Sequence, residues 1–281
     1  MGCILRITAF IMLAGLPLVA QAQTTSAANE KKPVEVTADD SLEWYQEKNL
    51  YVARGNAKAV RGDMTVEADT LSAHERSKDN KGAGGVAGEK KSSMGNIDKM
   101  TAEGNVRITG THQRVTGDRA IYDIDQHLIM VTGQNLRYET DKEVVTAKDS
   151  LEYWDDRKIA VARGNAVADK GDRHVEAEVL TAEFRDLPNG GQDLYKMTAT
   201  GGVKVVSKAD VAYGDRAVYN IAGDVAVLTG RVRVTRADGT QLSGDVAEVD
   251  FKSGHSRLMN KGKGRVRVLL GDRSSSKAGA Q

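Results

Sequence analysis

Apolar and polar residues alternate along most of this chain, in short runs that are separated by glycines. In one kind of run, an apolar residue is followed two positions later by Ala or Gly and then usually by an acidic residue, as in 36–39 and 66–69. In a second kind, apolar residues stand two and four positions after a glycine, as do Val106 and Ile108. Side chains two apart lie on one face of a strand. Each run therefore predicts a β-strand with one apolar face.

The chain also repeats itself, at a longer and a shorter period. Residues 37–76 align without a gap with residues 146–185, 109 positions later, and 99–133 align with 196–230. Beneath these lies a unit of roughly 30 residues, a hairpin that cannot enclose a core alone and must stack on its neighbours. Seven such units begin near Val34, Thr65, Arg114, Val144, His174, Val211 and Gln241. The Gly/Ala-Asp step in each unit predicts a corner where the strand bends between two sheets.

The N-terminal 22 residues have the pattern of a cleaved signal peptide. Arg6 precedes an apolar run from Ile7 to Val19, and Ala20-Gln21-Ala22 follows as a small-x-small cleavage site. The run is too short to span a bilayer as an uncleaved anchor. We expect a linker over 23–33, one domain over 34–272 with a mobile loop at 77–97, and a disordered tail over 273–281.

Composition narrows the class of protein further. The only cysteine is Cys3, so a chain cleaved after residue 22 has no disulfide and no thiolate metal site. Lys and Arg number 40 against 39 Asp and Glu, and this near-zero balance argues against nucleic acid as a partner. The alternating Val, Thr and Ala between 29 glycines indicate an all-β protein.

Candidate chemistry is sparse. The five histidines have no metal-ligand spacing, and the motifs of serine hydrolases, P-loop proteins and zinc proteases are absent. The repeated corner aspartates allow a carboxylate ladder for calcium or acid catalysis, but Lys148 stands in that column. A role in shaping the corners fits better. The column comprises Asp39, Asp69, Asp118, Asp215 and Asp245, with Glu178 in the fifth unit. We therefore expect no enzyme activity, no metal site and no cofactor.

Two aromatic pairs occupy equivalent places just before polar turns, at Trp44-Tyr45 and Tyr153-Trp154. They fit either a sugar-stacking platform or residues that cover the end of a core. The second role is the more common one for such pairs.

The order of these motifs resembles a known family. Residues 214–234 begin with Gly-Asp, contain Tyr219 in the strand that follows, and continue to Val-Leu-Thr-Gly-x-Val. Residues 241–270 open with apolar-x-Gly-Asp and end with Gly-Lys-Gly-Arg-Val before an apolar strand. This pattern is similar to that of the LptA/OstA family of periplasmic lipopolysaccharide-transport proteins, over about residues 34–270. The resemblance implies an open antiparallel β-jellyroll whose trough holds lipid acyl chains while the sugar stays outside. It implies outer-membrane biogenesis as the process: a periplasmic bridge that carries lipopolysaccharide from the inner to the outer membrane.

The resemblance and the alternation together give candidate site residues. Val34 and Val36 match the family's N-terminal apolar pair, and the other lipid-binding candidates follow by alternation: Leu42, Val106, Ile108, Val145, Val203, Val205 and Val232. Packing in a plain core is the other role open to each. Partner strands are expected to add at the open edges, near 34–37 and 265–270. The edge residues are Val34, Val36, Val266 and Val268. Expected partners are lipopolysaccharide, related jellyroll domains of inner- and outer-membrane transport proteins, and further copies of this chain joined head to tail.

Two other hypotheses of function compete with lipid transport. One is a structural or adhesive β-repeat protein that binds glycan or protein on its outer surface. The other is a glycan-active enzyme on a β-repeat scaffold, which lacks paired carboxylates outside the corner positions.

Overall fold

Most of the described residues belong to antiparallel strands. The computed structural model describes residues 33–76, 97–187, 191–208, 210–262 and 264–270. The expected signal peptide, linker, mobile loop and tail lie outside these ranges, except for Pro33 of the linker and Ile97 of the loop. One 3₁₀ turn, Gln46–Lys48, lies among the strands. The strands are β1 Glu35–Thr37, β2 Ser41–Tyr45, β3 Leu50–Arg61, β4 Met64–Glu75, β5 Ile97–Gly110, β6 Gln113–Asp123, β7 Leu128–Thr132, β8 Leu136–Thr140, β9 Val144–Ala147, β10 Ser150–Trp154, β11 Ile159–Lys170, β12 Arg173–Asp186, β13 Gln192–Val206, β14 Asp210–Asn220, β15 Val225–Arg236, β16 Gln241–Asp250, β17 His255–Met259 and β18 Arg267–Leu269.

Five of the long strands bend at a two-residue bulge. At each bulge the pairing register slips, and both skipped residues have a positive φ. Gly and Asn adopt this left-handed conformation at the lowest cost. The bulges are Gly55-Asn56, Gly104-Asn105, Gly164-Asn165, Gly201-Gly202 and Gly230-Arg231. They lie opposite the Gly/Ala-Asp steps, so the corners predicted from the sequence are confirmed.

The bends divide the strands into two sheets in each of two compact units. The described part of the N-terminal unit comprises 33–76, 97–141 and 149–158, and that of the C-terminal unit comprises 142–148 and 159–270 apart from the undescribed positions. In the N-terminal unit, the first sheet has the order β1, β3, β4, β5, β6, β8. The second sheet has the order β2, β3, β4, β5, β6, β7, β10.

The C-terminal unit repeats this plan. Its first sheet has the order β9, β11, β12, β13, β14, β15, β16, β18. Its second sheet runs from β11 through β16 to β17. The predicted all-β jellyroll of stacked hairpins is confirmed, and the seven predicted unit starts fall at or next to the first residues of β1, β4, β6, β9, β12, β14 and β16.

The core of each unit lies between its two sheets, where corner glycines admit large neighbours. A Cβ on Gly117 of the first sheet would lie 2.6 Å from Cγ1 of Val131, which belongs to the second sheet. A Cβ on Gly214 would lie 2.8 Å from Cδ1 of Leu228. The small residue in each unit thus lets an apolar side chain of one sheet pack on the backbone of the other.

The two terminal strands are shorter than the sequence predicts. The last strand is Arg267–Leu269 rather than 265–270, and Val266 precedes it. The reason is its partner: β16 begins at Gln241 and bends away at Gly244-Asp245, so only Gln241, Leu242 and Ser243 pair with β18. The first strand likewise begins at Glu35.

Candidate functional site

An unbroken apolar row crosses the first sheet of the C-terminal unit. Eight side chains lie directly opposite one another on consecutive strands, and we call them the inner row: Val145, Ala168, Val175, Val205, Ala212, Val234, Leu242 and Val268. The first seven are half-buried, and Val268 at the sheet edge is 49% exposed. The sheet therefore presents a strip of aliphatic surface that remains partly accessible to solvent.

The opposite face of the same strands is polar. Glu176 and Lys204 face each other across β12 and β13 and form an ion pair of 2.8 Å. Tyr213 and Arg233 continue this row on β14 and β15. Because neighbouring residues alternate between faces, the same strands carry an apolar side toward the second sheet and a charged side away from it.

The apolar side chains of the first sheet differ in burial according to their distance from the corner. Next to the corners, Val203 and Val232 are each 1% exposed and pack opposite Gly214 and Gly244. Two residues farther from the corner, Val205 and Val234 are half-buried. The space between the sheets is thus filled at the corners and more open along the inner row.

The N-terminal unit has the same arrangement with a more closed interior. Val66, Ile108, Val115 and Tyr138 lie opposite one another across β4, β5, β6 and β8. A small apolar pocket lies between the two sheets, lined by Met64, Ile108, Gly110, Gln113, Val115, Ile129, Val131, Leu151, Glu152 and Tyr153. The glutamate in this lining, Glu152, accepts hydrogen bonds from Ser150 Oγ and Trp154 Nε1.

The residues predicted for lipid binding fall into three groups by exposure. The buried ones are Val106, Ile108, Val203 and Val232. Val145 and Val205 are half-buried and share the inner row. The exposed ones are Val34, Val36 and Leu42, of which Leu42 is 65% exposed. Val36 and Leu42 belong to β1 and β2, the edge strands of the two sheets of the N-terminal unit.

The predicted edge residues all lie at the surface. Val34 and Val36 are each 41% exposed, and Val266 and Val268 are 40% and 49% exposed. Val36 pairs with Ala59 and Val268 with Leu242. Val34 and Val266 lie outside the strands.

An aromatic and charged cluster joins the two sheets of the C-terminal unit at the ends of their strands. We call it the lip cluster: Arg173, Tyr219, Asp224 and Phe251. The Arg173 guanidinium carbon lies 5.5 Å from the centre of the Phe251 ring, and Tyr219 packs edge-to-face on that ring at 5.9 Å. The Tyr219 hydroxyl donates to Asp224 at 2.6 Å. Burial and this hydrogen bond raise the pKa of Tyr219 to about 12.

The corner carboxylates serve the backbone and neighbouring side chains. Asp118 accepts from the Gln134 N–H at 2.7 Å, and Asp245 accepts from the Lys261 N–H at 2.9 Å. Arg231 donates to Asp215 at 2.7 Å. Across the described ranges, no group of three His, Cys, Asp or Glu side chains is arranged to hold a metal ion.

No helix in the described part of the chain is long and apolar enough to cross a membrane.

The aromatic pairs differ between their two copies. Trp44 is 58% exposed and stacks parallel to Tyr51, with ring centres 5.8 Å apart. Its counterpart Tyr153 is 3% exposed and lines the pocket of the N-terminal unit.

Sequence reasoning missed some of this site. Ala168 in the inner row stands four residues after Gly164. The pattern of apolar residues two and four positions after a glycine therefore identifies Ala168 once alanine is counted as apolar. The contact between Arg173 and Phe251 joins segments far apart in the chain, and the sequence carries no signal for it.

Comparison with known proteins identifies a family whose sequence pattern this chain matches. The sequence pattern of the LptA/(LptD N-terminal domain) LPS transport protein family matches the chain twice, over residues 35–149 and 144–255. Among solved structures, the chain is similar to LptH, described as the LptA homologous periplasmic component of the conserved lipopolysaccharide transport device from Pseudomonas aeruginosa. The identity is 20%, the match covers 46% of this chain and 94% of that one, and the TM-score is 0.39. Comparison with curated proteins gave no match.

Proposed function

Because the chain belongs to the LptA/(LptD N-terminal domain) family of LPS transport proteins, we propose that it is a periplasmic bridge that carries lipopolysaccharide from the inner to the outer membrane. It holds the acyl chains between the two sheets and leaves the sugar in water. The observation that carries this proposal is the inner row. It is a continuous aliphatic strip, half-buried over seven strands, on the side of the first sheet that faces the second.

The inner row has suitable dimensions for acyl chains. Strands lie about 4.8 Å apart, so a row across eight strands is on the order of 30 Å long, more than a 12-carbon chain requires. Burying one CH₂ group is worth about 0.8 kcal/mol. A 12-carbon chain thus supplies about 9 kcal/mol before the cost of ordering it. Binding of this kind needs no covalent step and no cofactor.

The predicted lipid-binding residues have different roles in the proposed binding of lipid. Val145 and Val205 contact acyl chains within the inner row. Val34, Val36 and Leu42 extend the apolar surface at the N-terminal edge. Val106, Ile108, Val203 and Val232 form the packed floor beneath the lipid, because their side chains are already nearly covered by protein.

The proposed route into the periplasm is the signal peptide over residues 1–22. The proposed partners are related jellyroll domains of inner- and outer-membrane transport proteins and further copies of the chain joined head to tail. The exposed edge strands β1 and β18 support this, because an edge strand offers unpaired backbone groups to a partner strand.

The two faces of β13 provide a direct test of lipid binding. A photo-crosslinking residue at Val205 should capture lipopolysaccharide in cells, while one at Lys204, on the opposite face, should not. Extraction of the purified protein with organic solvent, followed by mass spectrometry, should yield lipid A. Equal capture at both positions, or a protein without lipid, contradicts the proposal. Capture of glycan or protein at Lys204 alone would instead support binding on the outer surface.

A further inference from the structure

The two units are built from matching strands, so the space between their sheets, which we call the interior of each unit, can be compared position by position. Residues 99–133 of the N-terminal unit align with residues 196–230 of the C-terminal unit. The pairing registers agree as well, because Ile129 of the first copy and Ala226 of the second each face a tyrosine on the preceding strand. Differences at equivalent positions therefore report how far each interior is filled.

Beyond the corners, the C-terminal unit has the smaller side chain at four equivalent interior positions. Three of these pairs follow from the sequence alignment. In the fourth, Tyr138 and Val234 face equivalent residues of β6 and β14. The C-terminal side chains of the four pairs together have about eleven fewer non-hydrogen atoms, close to the number in a 12-carbon acyl chain. With the N-terminal residue first, the pairs are Ile108 and Val205, Val115 and Ala212, Ile129 and Ala226, and Tyr138 and Val234.

The exposure of these side chains shows that other protein atoms do not fill the missing volume. In the N-terminal unit all four are buried, and Tyr138 is only 2% exposed. Their four C-terminal counterparts are half-buried, so solvent reaches them. Protein interiors are otherwise close-packed, and apolar space of this kind accepts apolar ligands.

The space that remains open in the N-terminal interior is small. The pocket lined by Ile108, Val115 and Ile129 has a volume of about 20 Å³, which is enough for one water molecule but not for a chain of methylene groups. Nearer the corner the C-terminal residue is instead the larger one, as Val131 and Leu228 show, and both of these are buried. The extra space in the C-terminal unit is thus confined to positions beyond the corner.

We propose that acyl chains enter between the sheets of the C-terminal unit alone, and that side-chain volume at these four positions closes the N-terminal interior to them. This inference rests on the proposed function and specifies which part of the molecule takes up the lipid. The N-terminal unit then contacts lipid only at its exposed apolar edge, above a packed interior. Each chain therefore has one interior that binds acyl chains, although the fold is present twice.

Packing explains why the two interiors differ in this way. An acyl chain that entered the N-terminal interior would have to displace buried side chains such as Tyr138, and adding methylene groups to a packed core is destabilising. In the C-terminal unit the same chain would cover Val205 and Val234, which are still partly in contact with water. Burial of these side chains by lipid is favourable.

Val66 and Val175 provide a matched pair of reporters for this difference. They occupy equivalent positions 109 residues apart, both are half-buried, and each belongs to the apolar row of its first sheet. A photo-crosslinking residue at Val175 should capture lipopolysaccharide in cells about tenfold more than one at Val66, the ratio expected when roughly two CH₂ groups lose their burial. Equal capture overturns this inference but leaves lipid transport intact. Capture at neither position contradicts the proposed function as well, so the two failures are distinguishable.

Exchange of side-chain volume at one position tests the cause. Tyr138→Val should open the N-terminal interior and raise capture at Val66 several-fold. Val234→Tyr should fill the C-terminal interior and lower capture at Val175 several-fold. Melting temperatures identify a variant that does not fold. If Tyr138→Val fails to fold because it deletes buried atoms, Val234→Tyr decides the question, since it changes a half-buried position.

The control places the same ring on the other side of the same strand. Arg233 precedes Val234 on β15 and lies on the polar face, so Arg233→Tyr should leave capture at Val175 unchanged. The inference is overturned if Val234→Tyr and Arg233→Tyr lower capture equally. It is also overturned if the folded variants at positions 138 and 234 capture as much lipid as the wild type at each reporter.

Discussion

Leu42 and Leu151 hold the same place in two copies of one sequence motif, yet Leu42 is 65% exposed and Leu151 is 3% exposed. Leu151 faces Val131 of β7 on the neighbouring strand, while Leu42 belongs to the edge of its sheet. The same side chain is therefore part of the core in one copy and part of an open apolar edge in the other.

The stability cost of removing these two leucines should differ accordingly. Leu151→Ala should lower the free energy of unfolding by about 2–5 kcal/mol, because it deletes a buried side chain and leaves a cavity. Leu42→Ala should cost less than about 1 kcal/mol, since its side chain is already largely in water. Urea denaturation at low protein concentration measures both. Equal losses would mean that the edge is covered in the isolated chain.

The repeat pattern predicted the strands, the corners and the two faces, but not which copies are covered. Alternation and glycine spacing are local, and they located the half-buried Val145 and Val205 as well as the packed Val203 and Val232. Whether a position is core or surface depends on a neighbouring strand, as Leu42 and Leu151 show. The short extent of β18 likewise depends on where β16 begins and bends, which the sequence around Val266 does not contain.

Gly117 should not tolerate a side chain. Its Cβ would lie 2.6 Å from Val131 Cγ1 and 3.1 Å from the Thr132 carbonyl oxygen, so Gly117→Ala should destabilise the protein by about 1–3 kcal/mol through overpacking. Gly223→Ala is the matched control, because there the nearest atom is an ordinary 3.6 Å away. Thermal unfolding compares the two variants. A neutral Gly117→Ala would show that the sheets can separate at this corner without cost.

A charge network on the outer face of the C-terminal unit should make stability depend on pH. His174 contacts Asp169 at 2.6 Å and Glu176 at 2.7 Å, and these hydrogen bonds, Asp169 first, raise the pKa of His174. Glu176 also pairs with Lys204 at 2.8 Å. A raised histidine pKa means that the folded protein binds the proton more tightly than the unfolded chain does.

The contribution of His174 is therefore complete below its ordinary pKa of about 6.5 and is lost as the pH rises through the raised value. The difference in melting temperature between wild type and His174→Gln should be largest near pH 6 and should shrink toward pH 9. Salt should reduce this difference in melting temperature, because the His174 side chain is partly exposed. Ion pairs at such positions contribute about 0.2–1 kcal/mol to stability and are screened by salt. A difference that is constant with pH would show that the imidazole acts only by packing.

The lip cluster should restrain the entry of lipid into the C-terminal unit. Arg173 at the start of β12 contacts Phe251 beyond the end of β16, so this contact ties the first sheet to the second. A cation over an aromatic ring at a partly exposed site is worth about 0.5–1 kcal/mol. A double-mutant cycle with Arg173→Ala and Phe251→Leu should give a coupling energy of that size in urea denaturation.

The same contact should limit lipid capture. If acyl chains enter between the sheets here, Arg173→Ala should also increase lipid capture at Val205, because the ends of the two sheets separate more easily. Arg173→Lys, which keeps a cation over the ring, should stay close to wild type in both measurements. Additive stability effects together with unchanged capture would show that the contact neither holds the ends of the two sheets together nor limits access to the inner row.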